Sequence, residues 1–233
     1  MNELLKDKII AIHQPNFLPW LGYFNKINEV DTFVILDNVQ IPRGKSIANR
    51  NTIKSAQGKL EIILPISHPK GNEHLSTYNE VLISEQKNKI KILKTIQNSY
   101  SKAPHFKEIF PDIELLFTNE SFCALNISFI KYLVSYLNIS TKILLLSELN
   151  IKEQKNNDLI VEICKETNSN CYLSGTGAQK YNNESLFNSH GIILEYQKYE
   201  HPIYPQLHGE FISHLSIIDA LFNVGFEGVK KLI

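Results

Sequence analysis

Four polar segments of this sequence carry side chains able to do chemistry. The first is His13-Gln14-Pro15-Asn16-Phe17-Leu18-Pro19-Trp20-Leu21-Gly22-Tyr23. A histidine ending a strand just before a helix start faces a ligand readily, and backbone N–H groups at that start favour an anion. Gln14, Asn16 and Tyr23 add hydrogen-bonding groups, and Trp20, the single tryptophan, offers a stacking surface for a base or sugar. The plainer reading is a tight turn with an aromatic plug. The second segment holds Arg43, Lys45, Asn49, Arg50, Asn51 and Lys54. These are four cations and two amides, and arginine's planar fork suits phosphate or carboxylate. A solvated loop would have the same composition. In the third, Ser174-Gly175-Thr176-Gly177, two glycines let the backbone approach a ligand and two hydroxyls assist. It is neither GxxxxGK[ST] nor GxGxxG. The fourth runs from Tyr199 through His201, Tyr204 and Gln206 to His208, Phe211, His214 and Asp219. No histidine pair there has helical i, i+4 spacing, so no metal site is read from it.

These segments must be positioned by regular elements. Lys8–His13 reads as a buried parallel strand, Pro19–Val30 as a helix and Asp31–Asp37 as a second strand, giving a parallel β-α-β opening. Asn38–Gln57 reads mainly as a polar loop and Leu60–Ser67 as a strand, with Val81–Ile83 a short extra one. Three helices follow: one capped by Ser84, one opening at Pro104 with Pro111 a potential break, and one capped by Ser121. Lys142–Leu146 and Cys171–Ser174 then read as strands around the helix Asp158–Thr167. A short helix over Glu184–Asn188, a strand over Ile192–Gln197 and a helix over Leu215–Leu232 broken at Gly225 complete the chain. The expected fold is α/β: a Rossmann-like, mainly parallel sheet with helices on both faces and a helical insertion at about 84–138, in one domain spanning 1–233. Ligands of such sheets bind at the carboxyl ends of the strands, where His13 and Ser174 fall.

Composition narrows the function classes. Lysine and arginine number 24 against 24 acidic residues, which argues against a nucleic-acid partner. No apolar run is long enough for a membrane span, and no leader is read at the start, so a cytoplasmic location is expected. Cys123, Cys164 and Cys171 lack metal-ligand spacing and read as reduced core thiols.

Taken together, the strings IHQPNFLPWLGYFNKI, NRNTIK, YLSGTGAQKY, HPIYPQ and LSIIDALFN resemble the WbqC-like family of bacterial surface-polysaccharide clusters. Ile47-Ala48 departs from the aromatic that the family pattern leads one to expect before Asn49-Arg50. Leu18–Tyr23 is also loosely similar to the HxGH turn of nucleotidyltransferases, with Gly22-Tyr23 in place of Gly-His. The family resemblance implies a transferase or ligase that joins an amino-acid or other acyl group to an amino sugar, on a nucleotide-sugar. ATP is the cofactor if the acyl donor needs activating. His13 or His201 would be the general base. Gln14, Asn16, Trp20, Tyr23, Arg43, Lys45, Asn49, Arg50, Asn51, Lys54, Ser174, Gly175, Thr176, Gly177, Tyr204 and Gln206 would bind substrate. His13, Asn16, Arg43, Arg50, Ser174, Thr176, His201, Tyr204 and Gln206 are expected to line one pocket. Two alternatives stand beside this: a nucleotidyltransferase acting on a sugar phosphate, with Asp37 holding a divalent metal, and a non-catalytic nucleotide-sugar-binding module.

Overall fold

A computed structural model of the protein describes residues 7–42, 47–69, 75–152 and 154–233. Its centre is a five-stranded parallel sheet: β1 (Ile9–His13), β2 (Thr32–Ile35), β7 (Lys142–Leu145), β8 (Cys171–Ser174) and β9 (Ile193–Tyr196). The spatial order is β7-β2-β1-β8-β9. β1 and β2 pair in parallel, Ile10 opposite Thr32 through His13 opposite Ile35, as the opening β-α-β pattern requires. Alternate residues of these strands serve two separate cores. Ala11, Phe33 and Ile35 pack on the face covered by α1 (Leu21–Asn28), while Ile10, Ile12, Val34 and Tyr172 pack on the face covered by α5 (Asn156–Glu166) and α6 (Glu184–Ser189). This is the expected Rossmann-like sandwich.

Taken in the order the chain makes them, the sheet strands run third, second, first, fourth, fifth, so the winding reverses between β1 and β8. At such a reversal the connections leaving the two strands diverge to opposite faces and open a crevice at their carboxyl ends. His13 ends one of these strands and Ser174 the other. α1 leaves β1 almost wholly covered: Leu21 through Ile27 are all buried, polar residues included.

The insertion between β2 and β7 contains more sheet than the sequence suggests. Arg50–Ser55, read as part of a polar loop, forms β3 and pairs antiparallel with β4 (Gly58–Ile63). The polar residues misled the reading because the strand is partly buried at its start, and only its last three residues are fully covered. Ile66–Ser67 and Leu82–Ile83 form a separate two-stranded pair, β5 and β6, so the single strand expected over Leu60–Ser67 is divided. α2 (Gln86–Tyr100), α3 (Phe106–Leu116) and α4 (Phe122–Tyr136) follow. Ser121 caps α4 through Ala124 N–H, as expected, whereas α2 begins after Glu85 and has no side-chain cap. Pro111 lies inside α3 without ending it. In α7 (Ile217–Lys230) the break falls at Gly225, whose φ of 68° is open to glycine at little cost. A Cβ there would also collide with the His105 ring. No helix among the described residues is long and apolar enough to cross a membrane.

The turn between β1 and α1 is held from both sides. Leu18 adopts φ 44°, an uncommon conformation for a side chain of its kind. Its carbonyl accepts from Asn51 Nδ2 at 2.6 Å and from Ser216 Oγ at 2.7 Å, while Phe17 N–H donates to Ala48 O at 2.9 Å. The hairpin and the start of α7 therefore fix the strained turn that carries the residues following His13.

Candidate functional site at the strand reversal

His13 is oriented by its own turn. Its Nδ1 lies 3.0 Å from Gln14 O, which also accepts the Tyr23 hydroxyl at 3.0 Å, and the Tyr23 ring packs edge-on at 5.0 Å. With Nδ1–H donating to that carbonyl, Nε2 is the nitrogen left to accept. Burial, then the positive charge of Lys26, lowers the His13 pKa to about 3, so the imidazole is neutral at physiological pH. Across the reversal, Ser174 is buried and its Oγ accepts from Asn182 Nδ2 at 3.0 Å. Gly175 follows, and Thr176 and Gly177 lie exposed in the first turn of a short 3-10 helix. Gln197, just beyond β9, donates from its backbone to Ser174 O and from Nε2 to Gly22 O and Asn25 Oδ1, tying β8 to the first turn of α1. Asn16 is buried beside His13 in sequence, and its side chain makes no hydrogen bond with the described residues. Asn126 donates to Pro15 O at 2.8 Å.

A second cluster gathers around Trp20. Its ring stacks on His201 (6.2 Å, 12° between planes) and on His214 (5.2 Å, 24°), with Tyr199 edge-on at 5.6 Å. His201 also neighbours Tyr204 and Phe211. Its Nδ1 meets Pro202 O at 3.0 Å, and its buried Nε2 has no partner among the described residues. Burial, then His214, lowers its pKa. The two clusters meet at the start of α1, where Trp20 precedes the helix and Tyr23 lies in its first turn. Trp20 also covers Gly22, where a Cβ would overlap its six-membered ring. Gly22→Ala should therefore push the indole off His201 and cost about 1–3 kcal/mol, the usual penalty of overpacking. Chemical denaturation with tryptophan fluorescence as the probe would register both changes; an unchanged midpoint and emission would contradict the packing described.

The hairpin residues have other duties. Asn49 Nδ2 donates to Leu64 O, Asn51 Nδ2 holds the Leu18 turn, and Arg50 bonds Glu61 on the neighbouring strand at 3.4 Å. Lys54 Nζ is buried and donates to Gln206 Oε1, Gly209 O and Glu210 O. Gln206 is further occupied by both backbone groups of Ile212, and Tyr204 donates to Asp219 Oδ2 at 2.9 Å. The polar atoms of Lys54, Tyr204 and Gln206 thus meet one another in an internal network. Arg43 and Lys45 lie outside the described residues.

A family model described as the WbqC-like protein family matches residues 14–231, from the turn after His13 to the end of α7. The chain belongs to the WbqC-like protein family. It is also 33% identical, over 229 residues and 97% of each chain, to the uncharacterized protein Rv1507c of Mycobacterium tuberculosis. No solved structure matches it.

In this WbqC-like protein the side chain that sequence reasoning passed over is Lys26. It lies inside the quoted string IHQPNFLPWLGYFNKI, three residues after Tyr23, so the signal was an ionisable residue on an otherwise covered helix. Gln197, Asn182 and Asn126 were passed over too, since their roles depend on contacts distant in sequence. Asp37, weighed as a metal ligand, has both oxygens occupied by Ser147, at 2.9 Å from its N–H and 2.5 Å from its Oγ. Among the described residues no three His, Cys, Asp or Glu side chains group as a metal site would require. All three cysteines are buried free thiols, and burial pushes Cys171 up to about 11, far from the thiolate that a nucleophile needs.

Proposed function

We propose that this WbqC-like protein is a transferase or ligase of surface-polysaccharide assembly that attaches an amino-acid or other acyl group to the amine of an amino sugar carried on a nucleotide-sugar. The observation that supports this best is the geometry of His13: an imidazole at the strand reversal, fixed through Nδ1, with Nε2 left to accept a proton. In the step, the amine lone pair forms the new bond to the acyl carbonyl carbon. The bond from that carbon to the leaving oxygen breaks, that oxygen departs with the electron pair, and the nitrogen's proton passes to Nε2 of His13. Trp20, His201 and His214 form an aromatic cluster at the other end of the same turn, whose edge would border a planar group of the substrate. The nucleotidyltransferase reading is less favoured because Asp37, its metal ligand, is engaged by Ser147.

The test is mass spectrometry of reactions containing the protein, a panel of nucleotide-sugars, ATP and amino acids or other acyl donors. A sugar product heavier by one acyl residue is expected from wild type and should fall at least a hundredfold with His13→Gln, the scale of a lost general base. Nucleotide-sugar binding by that variant should stay within a few-fold of wild type. Binding without product under any donor would replace the proposal with the non-catalytic binding module.

A further inference from the structure

Three lysines are buried among the described residues: Lys26, Lys54 and Lys89. Lys54 has three acceptors, and Lys89 Nζ donates to Asn119 O at 3.0 Å. Lys26, with 4% of its surface exposed, has no hydrogen-bond or ion-pair partner among the described residues. A lysine so largely covered, with no counter-charge, is costly, and such a charge near a cleft is a candidate for binding or chemistry.

Its position says what the charge faces. A Cβ built on Gly175 would lie 3.8 Å from Lys26 Nζ, so the ammonium stands beside the turn that leaves β8. From the other side it acts on His13 at the end of β1. The ammonium therefore sits at the strand reversal, between the two connections that diverge there, where a Rossmann-like sheet receives its ligand. Arg50 and Lys54 of the hairpin, two of the four cations the sequence drew attention to, are engaged with Glu61 and with the Gln206–Glu210 segment instead.

We propose that Lys26 is the receptor for a phosphoryl oxyanion of the substrate, held between α1 and the Ser174–Gly175 turn within reach of His13. The inference deepens the acyl-transfer reading and rests on it for the identity of the molecule that carries the phosphate, which is either the nucleotide-sugar or the activated donor. Glycine at 175 is then a matter of room. Its φ of −73° suits any residue, so the backbone does not call for glycine, whereas a side chain would fill the space in front of the ammonium. An oxyanion on Lys26 would also remove the charge that, after burial, disfavours a proton on His13, so substrate binding itself would make that histidine a better base.

Titration calorimetry with inorganic pyrophosphate, UDP-N-acetylglucosamine and ATP tests the proposal without relying on turnover. Wild type should bind pyrophosphate, and Lys26→Met should weaken it at least tenfold, the lower end for loss of a charged hydrogen bond. The same variant should melt at a higher temperature, because it removes an unpaired buried charge and keeps the volume. Gly175→Asp supplies an internal carboxylate to Lys26; it too should lose pyrophosphate binding and gain thermal stability. Whichever of UDP-N-acetylglucosamine and ATP shows the same dependence on Lys26 is the source of the phosphate. Equal pyrophosphate affinity in wild type and Lys26→Met, or no binding of any probe by wild type, would overturn the inference. Absence of acylated product with Lys26-dependent binding intact would instead overturn only the acyl-transfer reading.

Discussion

Asp219→Ala is expected to destabilise the protein by about 3–5 kcal/mol, the range for removing one partner of a buried ionic network. Asp219 is fully buried near the start of α7. It accepts from Tyr100 Oη at 2.8 Å and Tyr204 Oη at 2.9 Å, and the Lys54 charge acts on it. Burial is the dominant influence and raises its pKa, and the two hydroxyls and Lys54 pull the other way. Alanine would leave two buried hydroxyls with no carboxylate and remove the negative charge on which Lys54 acts. The damage would spread, because Tyr100 Oη also accepts from Lys54 N–H at 2.8 Å, and so fixes β3 against α2. Urea unfolding should show a lower midpoint with the slope retained. Asp219→Asn, which keeps an acceptor, should lose less. A loss below about 1 kcal/mol for alanine would mean that the network has water to substitute for it.

This network shows why the sequence was read well in one respect and poorly in another. The clustering of His201, Tyr204, Gln206 and Asp219 was visible as unusual polarity near an apolar helix, and polar groups do concentrate there. What the sequence lacked was the partner of each group. Lys54 lies on a strand that its polar neighbours made look like a loop, and the three acceptors for its Nζ sit more than 150 positions away. The central sheet was far more legible. Its three inner strands are short and largely buried, the first two are rich in β-branched residues, and the alternation of strand and helix fixes parallel pairing. Cys171–Ser174 and the break at Gly225 could be read to the residue, because a buried apolar run and a lone glycine in a helix are local signals. Lys26 gave no such signal. A lysine on a helix is ordinarily solvated, and only the covering of α1 on every side turns it into a buried charge.

The stability of the protein should fall more steeply in acid than that of His13→Gln, by up to about 1.4 kcal/mol per pH unit between pH 6 and pH 4. The sign follows from the depressed pKa. In the unfolded chain His13 takes up a proton near its ordinary value of 6.5, whereas in the folded protein burial and Lys26 hold it to about 3. Between those values the unfolded state binds more protons, so stability is complete above the upper value and is lost as pH falls toward the lower one. Over the whole window the contribution is on the order of 5 kcal/mol. Glutamine cannot protonate, so the wild-type-minus-variant difference isolates the histidine from the carboxylates that titrate in the same range. Lys26 is charged in both states throughout this window and leaves the difference unaffected. Denaturant unfolding of the two proteins at pH 7, 6, 5 and 4 measures it. A difference that stays flat with pH would mean that the imidazole protonates as freely in the fold as in water, and that neither burial nor the Lys26 charge acts on it.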